Sequence, residues 1–161
     1  MRKLFIISFI ILILDVISKR LVINLMLEDE SFSVIDNFFS ITYAKNTGVA
    51  FSFLDGYVGF IILMTVIVIF IIFSYIKDSM KNIVDEVGYG FIIGGAIGNL
   101  LDRVIYGYVV DFLDFNIFGY NYPIFNLADT FIVVGVFLLI INSFKENGDE
   151  NEVNSRKKCK N

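Results

Sequence analysis

The chain has 161 residues, of which 57% belong to the hydrophobic set and only 19% are charged, with 13 Lys and Arg against 17 Asp and Glu for a formal charge of −4. Soluble domains average about 45–50% apolar and about 25% charged residues, so this is a membrane composition, and its acidic balance argues against nucleic acid as a partner. The absence of His and the single Cys, Cys159, exclude a Ser-His-Asp triad, a Cys-His nucleophile, an imidazole metal site and an intrachain disulfide framework.

Crossing a hydrocarbon core takes about 20 mostly apolar residues, and four segments approach that length. The first opens with the run LFIISFIILIL at Leu4, meets Asp15, Lys19 and Arg20, and continues to about Leu27. No small-residue cleavage site follows the apolar run, so it reads as a span and not as a leader. Asp15 and Lys19 lie four apart with the acid first, the favourable order for an ion pair on one helix face. Pairing and snorkelling near a helix end account for them better than a direct part in chemistry.

The connection from about Asn24 to Gly56 is long. Within it, Phe38-Phe39-Ser40-Ile41-Thr42-Tyr43 has the content of a strand and runs on to the turn signal Asn46-Thr47-Gly48. The second span, about Tyr57 to Ile76, is free of charge. The third, about Val87 to Tyr106, carries Gly90, Gly94 and Gly98 four apart, a small surface widened by Gly95 and Ala96 that lets another helix come close. Asn99, Asp102 and Arg103 follow on or beside that face. Asp102 and Arg103, adjacent in sequence, must each find other partners.

Between spans three and four, Val109 to Phe115 reads as extended, so a small sheet is expected at the membrane surface, able to hold an extended peptide. Asp111 sits in this stretch among apolar residues, while Asp114 reads as an ordinary solvated carboxylate. The fourth span, about Tyr122 to Ile141, places Pro123 in its first turn and Asp129 about 9 Å deeper, with Asn126 on the same face. Asp129 should be hydrogen-bonded or protonated. Residues 146–161 are charged and aperiodic, and read as a mobile cytoplasmic tail in which Cys159 is incidental. The fold class is thus an all-α membrane protein of four transmembrane helices with a small extracytoplasmic sheet, a domain over 1–145 and a tail over 146–161.

Orientation follows from basic residues near the span ends. Arg2, Lys3, Lys77, Lys81, Lys145, Arg156, Lys157, Lys158 and Lys160 fall on one side, and Lys19, Arg20, Lys45 and Arg103 on the other, which places both termini in the cytoplasm. Intramembrane acids and GxxxG packing also describe small ion-coupled transporters. Against that class, the acids gather near one face and the two halves show no inverted repeat. If Asp111 and Asp129 meet, they form a pair that shares one proton and hydrolyses peptides with water and without metal. Their separation of 18 residues neither requires nor forbids it.

The blocks Asp15-Val16-Ile17-Ser18-Lys19, Asn46-Thr47-Gly48-Val49-Ala50-Phe51, Gly94 to Arg103, Val109-Val110-Asp111-Phe112 and Phe125-Asn126-Leu127-Ala128-Asp129 resemble, in order and separation, the lipoprotein signal peptidase (type II signal peptidase) family. Val16 stands where that family commonly has Gln, and the Trp often found before the last block is missing. The resemblance implies a multi-pass aspartic endopeptidase of the bacterial plasma membrane, active near the extracytoplasmic face. It would cut the signal peptide of a prolipoprotein before its diacylglyceryl-modified Cys, without a cofactor or metal. It further implies Asp111 and Asp129 as the catalytic acids, Asn99, Arg103 and Asn126 as supporting groups, Asn46 and Arg103 as holders of substrate backbone, and Asp15, Lys19 and Asp102 as structural polar residues. Membrane lipid and globomycin-type inhibitors are the other implied partners, and the loop after Asn46 is an expected lid over the acids.

Overall fold

A computed structural model describes residues 1–49 and 53–158, with side chains described at 1–49, 53–76 and 79–146. Ala50, Phe51 and Cys159 therefore lie outside the described residues. Four long helices, α1 (Arg2–Leu25), α2 (Val58–Ser79), α3 (Ile83–Tyr106) and α4 (Leu127–Lys158), carry a four-stranded sheet. Its strands are β1 (Ser31–Ile35), β2 (Phe39–Asn46), β3 (Val109–Ile117) and β4 (Tyr120–Asn121), antiparallel in the order β1-β2-β3-β4.

Among the described residues, Val58–Ile76 and Leu127–Glu146 are long and apolar enough to cross a membrane. The helices are apolar on the outside: Phe9, Ile17, Phe70, Ile71, Phe137 and Ile141 are all exposed, the reverse of a water-soluble surface. Polar side chains lie inside instead, Asp15, Lys19, Asn99, Asp102, Arg103, Asp111 and Asn126 among them, beside apolar residues such as Leu4, Ile76 and Ile93. α3 is the central helix and packs against both α1 and α4. A Cβ at Gly90 would stand 2.8 Å from Ile7, and one at Gly94 would stand 2.7 Å from the Ser8 carbonyl, so this face admits the α1 backbone. Gly95 does not widen that face. It turns to the other neighbour, where a Cβ would lie 2.5 Å from the Ala128 carbonyl of α4, and lower down Gly88 and Gly135 meet across the same interface. Leu4, Ile76 and Ile93 form an apolar cluster joining α1, α2 and α3 at the end remote from the sheet.

That remote end is tied by polar groups. Asn82 caps α3 with Asp85 completing the capping box, and Asp85 also accepts from Asn142 of α4 at 2.8 Å. The helix consequently begins at Ile83, four residues before the apolar pattern starts, because Asn82 Oδ1 accepts from Val84 N and Asp85 N, Asp85 accepts from the Asn82 N–H in return, and the first-turn acids Asp85 and Glu86 suit the positive end of the helix dipole.

Three further features differ from the sequence reading. The sheet has two strands more than expected: β1, whose five residues are all exposed, and the two-residue β4. Pro123 lies outside the helix, since α4 starts at Leu127, so Asp129 is a first-turn residue and not one about 9 Å inside. The segment from 146 to 158 continues the α4 backbone. Within the sheet, Val22 of α1 packs on Tyr43, Val110 and Phe112, so the end of α1 carries β2 and β3.

Candidate active site

Two local devices bring the acids into one place. The first is a register break in β2. Ile41 pairs with Leu113 but Ala44 pairs with Asp111, so β2 has one extra residue, a bulge that turns Tyr43 into the core. Beyond it, Ala44 lies opposite Asp111 and Asn46 two residues on shares the same face. Asn46 Nδ2 therefore reaches Asp111 Oδ2 at 2.8 Å.

The second device is the start of α4. Phe125 pairs with β3, its carbonyl accepting from Phe112 N at 2.9 Å and from Leu113 N at 2.7 Å. That pairing lays Asn126 beside Asp111. Asn126 then caps α4: its Oδ1 accepts from Asp129 N at 3.0 Å, and its own N–H donates to Asp129 Oδ2 at 3.2 Å, a reciprocal box closed by an Asp. Because Oδ1 is committed to the helix, Nδ2 is free to donate outward, to Asp111 Oδ1 at 2.6 Å and Asn99 Oδ1 at 3.1 Å. A single residue thus holds both carboxylates.

α3 supplies the floor. Asn99 Nδ2 donates to Asp129 Oδ1 at 2.7 Å, while its Oδ1 accepts from Lys19 Nζ at 2.8 Å. One turn on, Arg103 donates from Nη2 to the Gly48 carbonyl at 2.7 Å and from Nη1 to the Asn99 carbonyl at 3.4 Å. Its buried Nε has no hydrogen-bond partner among the described residues. The Gly48 N–H in turn donates to Asn46 Oδ1 at 3.0 Å, which orients that amide toward Asp111.

Asp15 and Lys19 are almost wholly buried, at 0% and 2% exposure, so the lysine does not snorkel to the surface. Lys19 Nζ lies 2.8 Å from Asp15 and 3.1 Å from Asp102, a cation between two acids. Asp15 Oδ1 also accepts from Ala128 N at 3.0 Å, at the free N-terminus of α4, and Asp102 Oδ2 accepts from Val110 N at 3.1 Å. The partners that Asp102 and Arg103 required are thus found in other elements. Burial forces the Asp111 carboxyl up from 3.8 to about 7, with the charge of Asp129 adding to the rise and the hydrogen bonds from Asn46 and Asn126 opposing it. Asp129, in the first turn, faces the positive end of the α4 dipole, where negative charge is stabilised.

All nine polar residues singled out in the sequence join one network: Asp15, Lys19, Asn46, Asn99, Asp102, Arg103, Asp111, Asn126 and Asp129. The members missed are backbone groups, the Gly48 carbonyl and the Val110 and Ala128 N–H groups, which no side-chain pattern announces. Asp114 is partly buried and accepts from Thr42 Oγ1 at 2.7 Å, so it ties β3 to β2 and stands apart from the network. Among the described residues, no group of three or more Cys, Asp or Glu side chains is placed to hold a metal.

The signal peptidase (SPase) II family model matches residues 7–145. A lipoprotein signal peptidase of Staphylococcus haemolyticus (strain JCSC1435) is 39% identical over 142 residues, 88% of this chain and 90% of the relative. One of Staphylococcus aureus (strain MRSA252) is 38% identical over 147 residues, 91% and 90%. A bacterial membrane enzyme solved by the in meso method at 2.3 Å resolution superposes with a TM-score of 0.85 at 37% identity, covering 92% of each chain. A second, at 1.9 Å resolution, gives 0.81 at 38% identity over 90% of this chain and 94% of the other. With sequence and fold matched over nearly the same stretch, the chain belongs to the signal peptidase II family, a family of peptidases.

Proposed function

We propose that this protein removes signal peptides from prolipoproteins, cleaving before a diacylglyceryl-modified Cys with Asp111 and Asp129 as catalytic acids. The observation that carries this reading is the double contact of Asn126, which donates to Asp111 from its side chain and to Asp129 from its backbone. Two carboxylates held by one residue cannot both ionise freely, and the pair shares a proton. Asp111, the acid pushed up to about 7, is the protonated partner and Asp129 the ionised one. Asp129 takes a proton from a water between them as its oxygen attacks the scissile carbonyl carbon. Asp111 gives its proton to the carbonyl oxygen, forming a tetrahedral diol. When the C–N bond breaks, the proton on Asp129 passes to the leaving amine of the lipidated Cys, and one diol proton returns to Asp111.

Arg103 and Asn46 hold the substrate backbone in this reading, and the Arg103 Nε that lacks a hydrogen-bond partner among the described residues supports it. All four helices span the bilayer. The buried charges of α1 and α3 are satisfied within the bundle, and their remaining surfaces are apolar. The basic residues place both termini in the cytoplasm of a bacterial plasma membrane, with the acids near the outer face. A lipid-anchored substrate then enters sideways, its scissile bond at the surface and its signal helix in the bilayer. Globomycin-type peptides compete for that position.

The test is cleavage of a diacylglyceryl-modified prolipoprotein by the purified protein in detergent with lipid, against Asp111→Asn and Asp129→Asn at matched folding. Each variant is expected to lose roughly 10²–10⁴-fold in rate. Near-normal cleavage by either variant overturns the assignment of the acids. Absence of cleavage by the folded parent protein overturns the substrate.

A further inference from the structure

The hairpin between β3 and β4 turns through Phe118 and Gly119, at φ of 52° and 84°, between the paired residues Ile117 and Tyr120. Two left-handed central residues make the tight turn that favours Asn-Gly, and an aromatic residue at the first position is disfavoured by its Cβ. The protein holds the turn nonetheless: Asn116 Oδ1 accepts from Gly119 N at 2.9 Å, and Asn116 Nδ2 donates to Asn121 Oδ1 at 2.6 Å. Phe118 obtains no packing in return. Its side chain is fully exposed, and Ile117, Tyr120 and Tyr122 around it are exposed as well.

The patch continues onto the neighbouring turn, where the Phe38 carbonyl accepts from Asn116 N at 2.9 Å and Phe38 and Ile35 are exposed. From Phe115 to Phe125 the sequence FNIFGYNYPIF carries no charge. An uncharged aromatic segment of Phe, Tyr and Asn has the composition of a membrane–water interface. It also runs directly into α4, whose exposed Val133, Val136 and Phe137 lie on a helix apolar enough to span.

We infer that the Phe118 hairpin is a lipid anchor, its aromatic tip seated at the boundary between headgroups and acyl chains. α3 fixes one end of β3 and the anchored tip fixes the other, so the strand lies along the membrane surface. Asp111 stands seven residues from Phe118, about 23 Å back along the strand, at the end where the bundle begins. The anchor sets the height of that carboxylate above the hydrocarbon, which is the coordinate a bilayer-bound substrate cannot adjust for itself. This inference rests on the membrane placement proposed above and not on the peptidase reading.

The chain contains no Trp, so one introduced Trp reports its own surroundings. The experiment places Phe118→Trp in vesicles of phosphatidylcholine and phosphatidylglycerol, with and without bromine on the acyl chains near the headgroups. Phe70→Trp, on the exposed face of α2, is the reference for the membrane itself. Tyr120→Trp gives a second view of the hairpin without altering the turn. The expected result is emission shifted to the blue, insensitive to aqueous iodide and reduced to about half by brominated lipid in both hairpin variants, the depth of an interfacial anchor. Emission from the hairpin quenched by iodide while Phe70→Trp responds to brominated lipid overturns the anchor and leaves the membrane placement standing. Blue emission without quenching by brominated lipid assigns the tip to a protein surface, such as a second copy, and overturns it equally. No lipid response from Phe70→Trp overturns the membrane placement and the anchor together.

Discussion

Lys19 Nζ donates to Asn99 Oδ1 at 2.8 Å, and this contact decides which end of the Asn99 amide meets Asp129. An ammonium group can only donate, so the amide oxygen must face it and the NH₂ must face the carboxylate. The same ammonium holds Asp15 and Asp102, whose other contacts reach the start of α4 and the start of β3. One buried cation therefore places the two elements that carry the acids.

Replacing Lys19 with Met leaves two buried carboxylates unpaired and is expected to destabilise the protein by about 3–5 kcal/mol. The triple variant Lys19→Met, Asp15→Asn, Asp102→Asn removes the charge imbalance. It is expected to regain much of the fold while kcat stays about tenfold to a hundredfold low with KM little changed, because Asn99 is no longer oriented. Thermal melting and cleavage kinetics on one set of samples read both effects. Full recovery of kcat in the triple variant would confine Lys19 to the fold.

The pH dependence follows from Asp111. Its carboxyl sits at about 7 against 3.8 unperturbed, so between those values the folded protein keeps a proton that the unfolded chain has released. The stabilising contribution is complete below pH 3.8 and is lost as pH rises through about 7. The thermal midpoint should fall from pH 5 to pH 8, and Asp111→Asn should flatten that slope. If Asp111 is the proton donor proposed above, cleavage should decline above about pH 7 as it ionises, approaching tenfold per pH unit. A rate that climbs through pH 8 would reverse the assignment of the protonated acid.

Asn126 performs two jobs that substitution can separate. Asn126→Ala removes the cap of α4 and is expected to cost about 1 kcal/mol together with most of the activity. Asn126→Ser keeps a capping oxygen but loses the donor to Asp111, so it should melt near the parent protein and still cleave poorly. Equal activity of the Ser variant and the parent would show that the contact at 2.6 Å to Asp111 is dispensable.

Gly95→Ala would set a methyl group 2.5 Å from the Ala128 carbonyl, where backbone must yield, and 2.9 Å from the Ile132 side chain. The expected cost is about 1–3 kcal/mol, with a loss of cleavage because Asp129 follows Ala128 directly. Gly59→Ala on α2 has open space around it, and should be neutral or raise the melting temperature slightly through its helix propensity. A harmless Gly95→Ala would mean that α3 and α4 approach less closely than they do here.

The sequence by itself determined the helices and which polar residues are buried between them. Long apolar runs have few folded alternatives in a bilayer, so α2 was readable from composition, and charges inside α1 and α3 marked the polar network because burying them without a partner is prohibitive. The Gly90, Gly94 and Gly98 stripe announced a close contact, but which glycine met which helix was decided by packing, with Gly95 turned to α4 and not to α1. The short strands were less legible. β1 is exposed at every position and β4 is two residues long, so neither shows the alternation that a half-buried strand produces, and each exists because a neighbouring strand supplies its hydrogen bonds. Only the tertiary structure brought Asp111 beside Asn126 and Asp129. The bulge in β2, the pairing of Phe125 with β3 and the N-terminus of α4 at Leu127 are relations between elements, set by backbone groups that are the same in every residue and so leave no mark in the side-chain sequence.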